Sequence, residues 1–186
     1  MGSHRSPTEN PRHLVLVGMM GAGKSTIGHL AANNLGMDFN DIDEMIVRRE
    51  RLTIPQIIDQ RGEQRFRALE RDIVALVTDR EPSVISTGGG TPVDPVSRHL
   101  LRMNGVVVWL DVPLDQLVAR VGDGHNRPLL QTGRPIASIL GDLLEKRRPI
   151  YQAAAHHVVT TPNGSISHML TDVLAAYRQG PTESKA

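Results

Sequence analysis

Residues 18–25, Gly-Met-Met-Gly-Ala-Gly-Lys-Ser, constrain the fold of this 186-residue chain more than any other segment. The run fits the phosphate-binding pattern G-x-x-x-x-G-K-[S/T] at every fixed position. An unbroken apolar run at residues 14–17 precedes it, as in a strand buried on both faces, and apolar residues at helical spacing follow it from Thr26 to Leu35. This order of strand, glycine loop and helix predicts a chain that binds a nucleoside triphosphate, rather than a chance glycine-rich turn.

Within this loop, the residue types indicate which groups contact the ligand. The glycines let backbone N–H groups turn inward around an anion, and the N-terminus of the following helix adds a favourable dipole. We expect Lys24 to reach the β- and γ-phosphates and the Ser25 hydroxyl to ligate Mg²⁺. The predicted ATP contacts in this segment are Gly21, Ala22, Gly23, Lys24, Ser25 and Thr26.

Charge and composition argue against several kinds of partner. The chain has 21 Lys and Arg against 20 Asp and Glu, a net charge of +1, so no strong field attracts nucleic acid or an anionic membrane. The absence of cysteine excludes disulfides and thiolate metal sites and suits a reducing compartment. No apolar stretch approaches the roughly 20 residues of a membrane-spanning helix. We therefore expect a cytoplasmic monomer with neither nucleic acid nor membrane as a partner.

The alternation of strands and helices predicts the fold class. Five short apolar segments are interpreted as strands: residues 14–17, 37–40, 83–87, 106–110 and 157–160. Because helical segments separate them, we expect an α/β fold of three α/β/α layers, with ligands at the carboxyl ends of a central parallel sheet. The length favours one domain at residues 12–178, between flexible segments at residues 1–11 and 179–186.

Two carboxylates follow the second predicted strand. Asp41 and Asp43 have the chemistry to hold a hydrated metal ion and to accept a proton from an attacking hydroxyl, the two tasks of phosphoryl transfer. Either residue serves equally well as the N-cap of the next helix. The pair alone leaves both interpretations open.

Two further features are predicted near the same edge of the sheet. Arg67 and Glu70 stand three residues apart on a helix, so a surface ion pair is their commoner explanation and a substrate contact the rarer one. Gly88, Gly89 and Gly90 follow the third strand, where three consecutive glycines favour close approach of the backbone to a ligand. The glycines therefore indicate a binding function more strongly than the charged pair does.

A long segment without clear periodicity, residues 122–135, is rich in Gly, Pro, Asn and Asp. Loops of this length are usually functional lids or disordered. Arg127 on a closing lid would neutralise charge on the transferred phosphoryl group, although an exposed loop arginine without a role explains it nearly as well. A helix is predicted to follow over residues 136–148, with Pro149 disturbing its end.

Taken together, these motifs resemble those of the shikimate kinase family of small P-loop kinases, over about residues 14–177. The resemblance rests on Gly-Met-Met-Gly-Ala-Gly-Lys-Ser-Thr-Ile-Gly at 18–28, Asp-Ile-Asp at 41–43, Gly-Glu-Gln-Arg-Phe-Arg-Ala-Leu-Glu at 62–70, Ser-Thr-Gly-Gly-Gly at 86–90, Arg-Pro-Leu-Leu at 127–130 and Lys-Arg-Arg-Pro-Ile-Tyr at 146–151. It implies a P-loop kinase fold like that of nucleoside monophosphate kinases, with strand order 2-3-1-4-5. It also implies transfer of the ATP γ-phosphate to the 3-hydroxyl of shikimate, in aromatic amino acid biosynthesis, with Mg²⁺ as cofactor.

The resemblance implies a role for each matching residue. Asp43 would bind the acceptor hydroxyls and orient or deprotonate the nucleophile, and Asp41 would hold Mg²⁺ through water beside Ser25. Arg67 and Arg147 would grip the substrate carboxylate, a task suited to the guanidinium fork. The other implied assignments are residues 88–90 for the substrate, Arg127 for the phosphates, Arg120 for the adenine, residues 42–75 as substrate-binding helices and residues 122–135 as the lid.

Two positions complicate the match to the family pattern. Ile42 stands where a small hydroxylated residue is usual, which leaves both neighbouring carboxylates in place. Arg147 has Arg148 beside it, and the substrate contact is assigned to Arg147 because this residue falls on the family's Arg-x-Pro-x-Tyr pattern.

Two rival functions compete with this interpretation. A gluconate or nucleoside monophosphate kinase would share the fold, and a sugar-acid kinase would also need a carboxylate-binding arginine. A nucleotide-dependent switch would bind ATP without a small-molecule acceptor and would not need Asp43, Arg67 and Arg147. The triple glycine and the Arg-Pro-Leu-Leu segment favour the shikimate kinase interpretation over the other kinases.

Overall fold

Five parallel strands form the sheet in this computed structural model, which describes residues 12–122, 134–160 and 165–182. The strands are β1 His13–Val17, β2 Asp38–Asp41, β3 Ser83–Ser86, β4 Gly105–Asp111 and β5 His157–Thr160. The helices of the described residues are α1 Lys24–Leu35, α2 Ile42–Glu50, α3 Ile54–Arg61, α4 Glu63–Thr78, α5 Pro95–Asn104, α6 Leu114–Val121, α7 Ile136–Ala154 and α8 Ile166–Gln179. The strand order is β2-β3-β1-β4-β5, so the predicted fold class and order are confirmed. None of the described helices combines the length and apolarity needed to cross a membrane.

The central strand β1 aligns the functional loops. It pairs in parallel with β3 on one side and with β4 on the other, and all five of its residues are buried because helices cover both faces of the sheet. In this register Leu16 lies opposite Ser86, and Thr87 N donates to Leu16 O at 3.2 Å. The phosphate-loop segment after β1 and the glycines after β3 therefore leave the sheet side by side.

Local capping positions the three helices between β2 and β3. The Asp41 side chain caps α2, and Thr53 forms a capping box with Gln56 at the start of α3. Gly62, with φ of 81°, ends α3 and begins α4 in a conformation that side chains rarely adopt. An ion pair between Arg61 and Glu50 ties α3 to α2. These helices thus have defined ends and are separated by at most three residues.

The prediction that α7 is disturbed after Arg148 is wrong, because the helix continues through Pro149 to Ala154. Proline inside a helix lacks an N–H donor and crowds the carbonyl four residues earlier, at a cost of about 3 kcal/mol. Tertiary contacts oppose this cost. Arg102 Nη1 donates to the carbonyls of Ala153, Ala154 and Ala155 at 2.9, 3.0 and 3.1 Å, and so satisfies groups that the end of a helix leaves without partners.

Alanine in place of Gly28 is expected to destabilise the protein. Alanine normally stabilises a helix interior by about 1 kcal/mol relative to glycine. A Cβ at Gly28, however, would overlap the Phe39 ring edge, with Cδ2 at 3.1 Å and Cζ at 3.2 Å. Overpacking of this kind costs about 1–3 kcal/mol. We expect urea unfolding to show a lower unfolding free energy in Gly28→Ala than in the parent.

Gly141 in α7 provides the matched control for this substitution. Among the described residues, its Cβ would meet only Leu114 Cδ2, at an ordinary contact distance of 3.5 Å. The Gly141→Ala variant should therefore gain up to about 1 kcal/mol of unfolding free energy from helix propensity. An equal gain in both variants would show that α1 and β2 do not pack as closely as described.

Candidate active site

The loop between β1 and α1 has the conformation that its glycines predict. Gly18, Gly21 and Gly23 have φ of 141°, 79° and 90°, values that side chains rarely adopt. Lys24 is only 8% exposed, and its Nζ donates to the carbonyls of Gly18 at 3.0 Å and Met19 at 2.9 Å. The ammonium group is thereby held inside the loop, beside the backbone that would surround a phosphate.

Helix α6 packs directly on the outer side of this loop. A Cβ at Gly21 would lie 2.9 Å from Val121 Cγ2 and 3.3 Å from Leu117 O. Arg120 of the same helix has Nη1 at 3.5 Å from Gly21 O and Nη2 at 3.0 Å from Gln116 Oε1. Arg120, for which an adenine contact is predicted, thus lies beside the phosphate loop.

Asp41 forms the predicted N-cap, and its second carboxylate oxygen meets the phosphate loop. Its Oδ1 accepts from the backbone N–H groups of Asp43 at 3.0 Å and Glu44 at 3.3 Å, as an N-cap. Its Oδ2 accepts from Ser25 Oγ at 2.8 Å, and Ser86 Oγ lies 3.5 Å from Ser25 Oγ. One carboxylate therefore stabilises α2 and also meets the phosphate loop.

The same oxygens match the preference of Mg²⁺. This ion takes oxygen ligands, keeps several waters and is bound through one or two carboxylates together with substrate phosphates. Ser25 and Asp41 supply one hydroxyl and one carboxylate 2.8 Å apart. The described residues contain no group of three or more His, Asp or Glu side chains that could hold a metal ion by themselves. The donor set thus fits an ion that is held largely by a nucleotide.

The glycine segment, residues 88–90, lies against the three predicted acceptor residues. A Cβ on its first glycine would lie 2.7 Å from Asp43 Oδ1, and one on its second would lie 3.3 Å from Arg147 Nη1. A Cβ on its third glycine would lie 2.7 Å from Arg67 Nη1. Helices α2, α4 and α7 each contribute one of these side chains. The backbone segment is therefore surrounded by one carboxylate and two guanidinium groups.

The ion pair expected for Arg67 is present, and it also places this residue in the site. Arg67 Nη1 lies 2.5 Å from Glu70 Oε2, and Nη2 lies 3.0 Å from Glu63 Oε1. Glu70 is buried and also accepts from Thr91 Oγ1 at 2.9 Å. Burial acts to lower the pKa of Arg67, but the neighbouring carboxylates outweigh it and raise the pKa. The structural and functional interpretations of this arginine therefore do not exclude each other.

Arg147 and Arg148 point to different surroundings. Arg147 is 9% exposed, and its Nη1 donates to Gly89 O at 3.1 Å. Arg148 pairs with both carboxylate oxygens of Asp111, at 3.0 and 3.2 Å, and its Cζ lies 5.4 Å from the centroid of the Trp109 ring. Helix phase thus directs Arg147 toward the glycine segment and Arg148 away from it, and the substrate contact of Arg147 stays a prediction.

Tyr151 is a site residue to which sequence reasoning gave no role. Its hydroxyl donates to Gly89 O at 2.6 Å, beside the contact from Arg147. Burial raises the pKa of the phenol, despite the opposing effect of Arg147, so the hydroxyl stays protonated at neutral pH. Its position at the end of the Arg-x-Pro-x-Tyr pattern was the available signal.

Several predicted features lie outside the described residues. These are Arg127, most of the predicted lid, residues 1–11 and residues 183–186. Their predicted roles stay predictions.

Comparison with known proteins gives relatives of nearly full length. A relative named shikimate kinase from Methylococcus capsulatus is 39% identical over 173 residues, which cover 93% of this chain and 96% of the relative. Another of the same name, from Novosphingobium aromaticivorans, is 45% identical, with 86% of this chain and 83% of the relative covered.

Solved structures agree with these relatives. Shikimate kinase from Acinetobacter baumannii in complex with shikimate is 35% identical, with a TM-score of 0.87 over 94% of this chain and 97% of that one. A gluconokinase from Sinorhizobium meliloti is 18% identical, with a TM-score of 0.54 over 91% of this chain and 93% of that one, which shows the fold alone. A family model described as "SKI: Shikimate kinase" matches residues 20–178. The chain belongs to the shikimate kinase family.

Proposed function

We propose that this member of the shikimate kinase family uses the glycine segment, its three polar neighbours and the phosphate loop to transfer the γ-phosphate of ATP to the 3-hydroxyl of shikimate. The observation that carries the proposal is the contact of residues 88–90 with three polar side chains, those of Asp43, Arg147 and Arg67. Two cations and one carboxylate around this glycine backbone suit a ligand that carries one carboxylate and several hydroxyls. The similar protein from Acinetobacter baumannii, solved in complex with shikimate, supports the same acceptor for this chain.

On the acceptor side, the two arginines bind the substrate carboxylate and the aspartate orients the 3-hydroxyl. Arg67 and Arg147 grip the substrate carboxylate, which fixes the ring relative to the phosphate loop. Residues 88–90 offer backbone N–H groups to the substrate. Asp43 accepts a hydrogen bond from the 3-hydroxyl, aims its oxygen at the γ-phosphorus and is positioned to take its proton. Because the transition state of phosphoryl transfer is loose, this positioning supplies much of the rate enhancement.

On the donor side, the phosphate loop surrounds the anionic groups of ATP. The phosphates contact the backbone of Gly21, Ala22 and Gly23 and, at the start of α1, Thr26. Lys24 exchanges its carbonyl partners for phosphate oxygens. Ser25 directly and Asp41 through water would hold Mg²⁺, which would neutralise phosphate charge when bound.

The remaining assignments belong to the same proposal. Arg120 contacts the adenine, and Arg127 closes over the phosphates from the lid at residues 122–135. Residues 42–75 form the substrate-binding helices of a single kinase domain at residues 12–178. The protein acts in the cytoplasm as a monomer, with shikimate and ATP as its partners and neither nucleic acid nor a membrane.

An acceptor panel tests the proposed reaction. ADP release with Mg·ATP is measured with shikimate, gluconate, AMP, CMP or no acceptor, and the product is identified by phosphorus NMR. We expect strong stimulation by shikimate alone and a phosphate ester at its 3-position. Stimulation by gluconate or a nucleoside monophosphate alone would reassign the acceptor site. ATP binding without stimulation by any acceptor would support the nucleotide switch instead.

Arg67→Ala is expected to raise the KM for shikimate by about 10–100-fold, because a hydrogen bond to a charged group contributes about 1.5–3 kcal/mol. The KM for ATP should stay within about twofold, since no donor-side role is proposed for Arg67. Arg65→Ala removes an exposed arginine from the same helix and serves as the control. Equal increases in both Michaelis constants would refute the carboxylate contact.

A further inference from the structure

Tyr151 is a fully buried residue in the part of α7 beyond Pro149, and the proposed mechanism so far gives it no task. Its ring packs beside that of Trp109, with centroids 5.8 Å apart. Its hydroxyl donates to Gly89 O at 2.6 Å and lies 3.5 Å from Met19 Sδ, in the phosphate loop. The phenol therefore lies where the segments that follow β1 and β3 meet.

The carbonyl groups of the glycine segment are all held by protein donors. Gly88 O accepts from Thr91 N at 3.1 Å, and Gly90 O accepts from Val93 N at 3.0 Å, within a local turn. Gly89 O instead accepts from Tyr151 of helix α7, which lies 62 positions away along the chain. This middle carbonyl thus depends on tertiary structure for its orientation.

The orientation of this carbonyl determines that of a neighbouring donor. The peptide bonds of the described residues are trans, and in a planar trans peptide the C=O and the next N–H point in opposite directions. Fixing the Gly89 carbonyl therefore also fixes the direction of the Gly90 N–H. That N–H belongs to the segment proposed to contact the acceptor.

The same carbonyl is shared with Arg147, whose Nη1 donates to it at 3.1 Å. While Tyr151 satisfies this part-buried oxygen, the arginine is not needed as its sole donor. Without the phenol hydroxyl, the carbonyl would depend on Arg147, because a carbonyl shielded from water and left without a donor is costly. The guanidinium would then be drawn toward the loop and away from a substrate carboxylate.

We propose that Tyr151 is a positioning residue for the acceptor site. Its hydroxyl fixes the Gly89–Gly90 peptide and leaves Arg147 available to bind the substrate carboxylate. The inference rests on the proposed function, because the site it supports is the proposed shikimate site.

Tyr151→Phe removes the hydroxyl and keeps the ring that packs on Trp109, and Tyr177→Phe is its matched control. The Tyr177 hydroxyl also donates to a backbone carbonyl, that of Arg12 at 2.8 Å, and also lies near a methionine sulfur, Met37 Sδ at 3.8 Å. Tyr177 is remote from the glycine segment. The pair therefore separates loss of a tyrosine hydroxyl from loss of this particular contact.

For Tyr151→Phe, we expect the KM and the calorimetric Kd for shikimate to rise by about 3–10-fold, the range for one neutral hydrogen bond. The KM for ATP should stay within about twofold, and all three constants should stay within about twofold in Tyr177→Phe. A general loss of stability would not produce this split between substrates. An unchanged Kd for shikimate, or equal increases in both Michaelis constants, would overturn the inference.

A double-mutant cycle with Arg147→Ala gives a second test. Because Tyr151 acts through the shared carbonyl and Arg147, the double variant should weaken shikimate binding by less than the product of the two single effects. Independent effects that multiply would overturn the role. The parent protein is assayed in parallel: if it does not phosphorylate shikimate, the proposed function fails, whereas a shikimate-active parent with an unaffected Tyr151→Phe variant refutes the Tyr151 inference alone.

Discussion

Asp43→Asn is expected to lower kcat for shikimate phosphorylation by about 10²–10⁴-fold, the usual range for loss of a general base. Asparagine keeps the size of the side chain and an oxygen that accepts a hydrogen bond, but it cannot take the proton of the 3-hydroxyl. The structure buries Oδ1 of this carboxylate against Gly88 at the N-terminus of α2, inside the proposed acceptor site. Steady-state kinetics across a range of pH values provide the measurement.

A second substitution separates proton transfer from orientation. If Asp43 only orients the hydroxyl, Asn should keep kcat within about tenfold of the parent and Ala should lose more, because Ala lacks the acceptor oxygen. If Asp43 takes the proton, Asn and Ala should lose similar amounts. Asp59→Asn, on the exposed side of α3, is the control and should leave kcat unchanged. Near-normal kcat in both Asp43 variants would remove this residue from the mechanism.

Lys24→Met is expected to lower kcat by about 10²–10³-fold, the range for loss of one preorganised donor to transition-state charge. Methionine fills nearly the same volume without the ammonium group. The structure adds a second consequence, because Nζ donates to the carbonyls of Gly18 and Met19 and so helps to hold the loop conformation. We therefore expect weaker binding of a fluorescent ATP analogue as well as slower turnover.

Lys146→Met tests whether loss of any lysine has this effect. Lys146 is exposed on α7, one residue before Arg147, and its replacement should leave both kcat and nucleotide binding unchanged. Thermal unfolding of the two variants shows whether either substitution disturbs the fold. Turnover of Lys24→Met within a few-fold of the parent would refute the phosphate-loop assignment.

The nucleotide side of the site followed from local sequence. The loop at residues 18–25 needs glycine at particular positions, and the flanking strand and helix are defined by apolar runs of the correct period. The capping box at Thr53 was predictable for the same reason, since its partners lie three residues apart. Features of this kind depend on residues that are close in sequence.

Other features could not be obtained in this way. Pro149 is a strong signal for the end of a helix, yet α7 continues because Arg102, 51 positions earlier than Ala153, supports its last carbonyls. The sequence left Asp41 open between a helix cap and a metal ligand, and only the fold shows that this capping carboxylate also accepts from Ser25 of α1, while its metal role stays a proposal. In each case the deciding partner comes from a distant element.

The sequence by itself therefore determined the phosphate loop, the α/β class and the three side chains, Asp43, Arg67 and Arg147, that meet around the glycine segment. Only the tertiary structure decided how those residues share their partners: Arg147 and Tyr151 meet at the Gly89 carbonyl, while Arg148 turns outward to Asp111. The physical reason is range. Helical hydrogen bonds and helix caps join residues three or four positions apart. The Gly89 carbonyl, in contrast, lies 58 positions from Arg147 and 62 from Tyr151, and only the packing of the sheet and its helices brings them together.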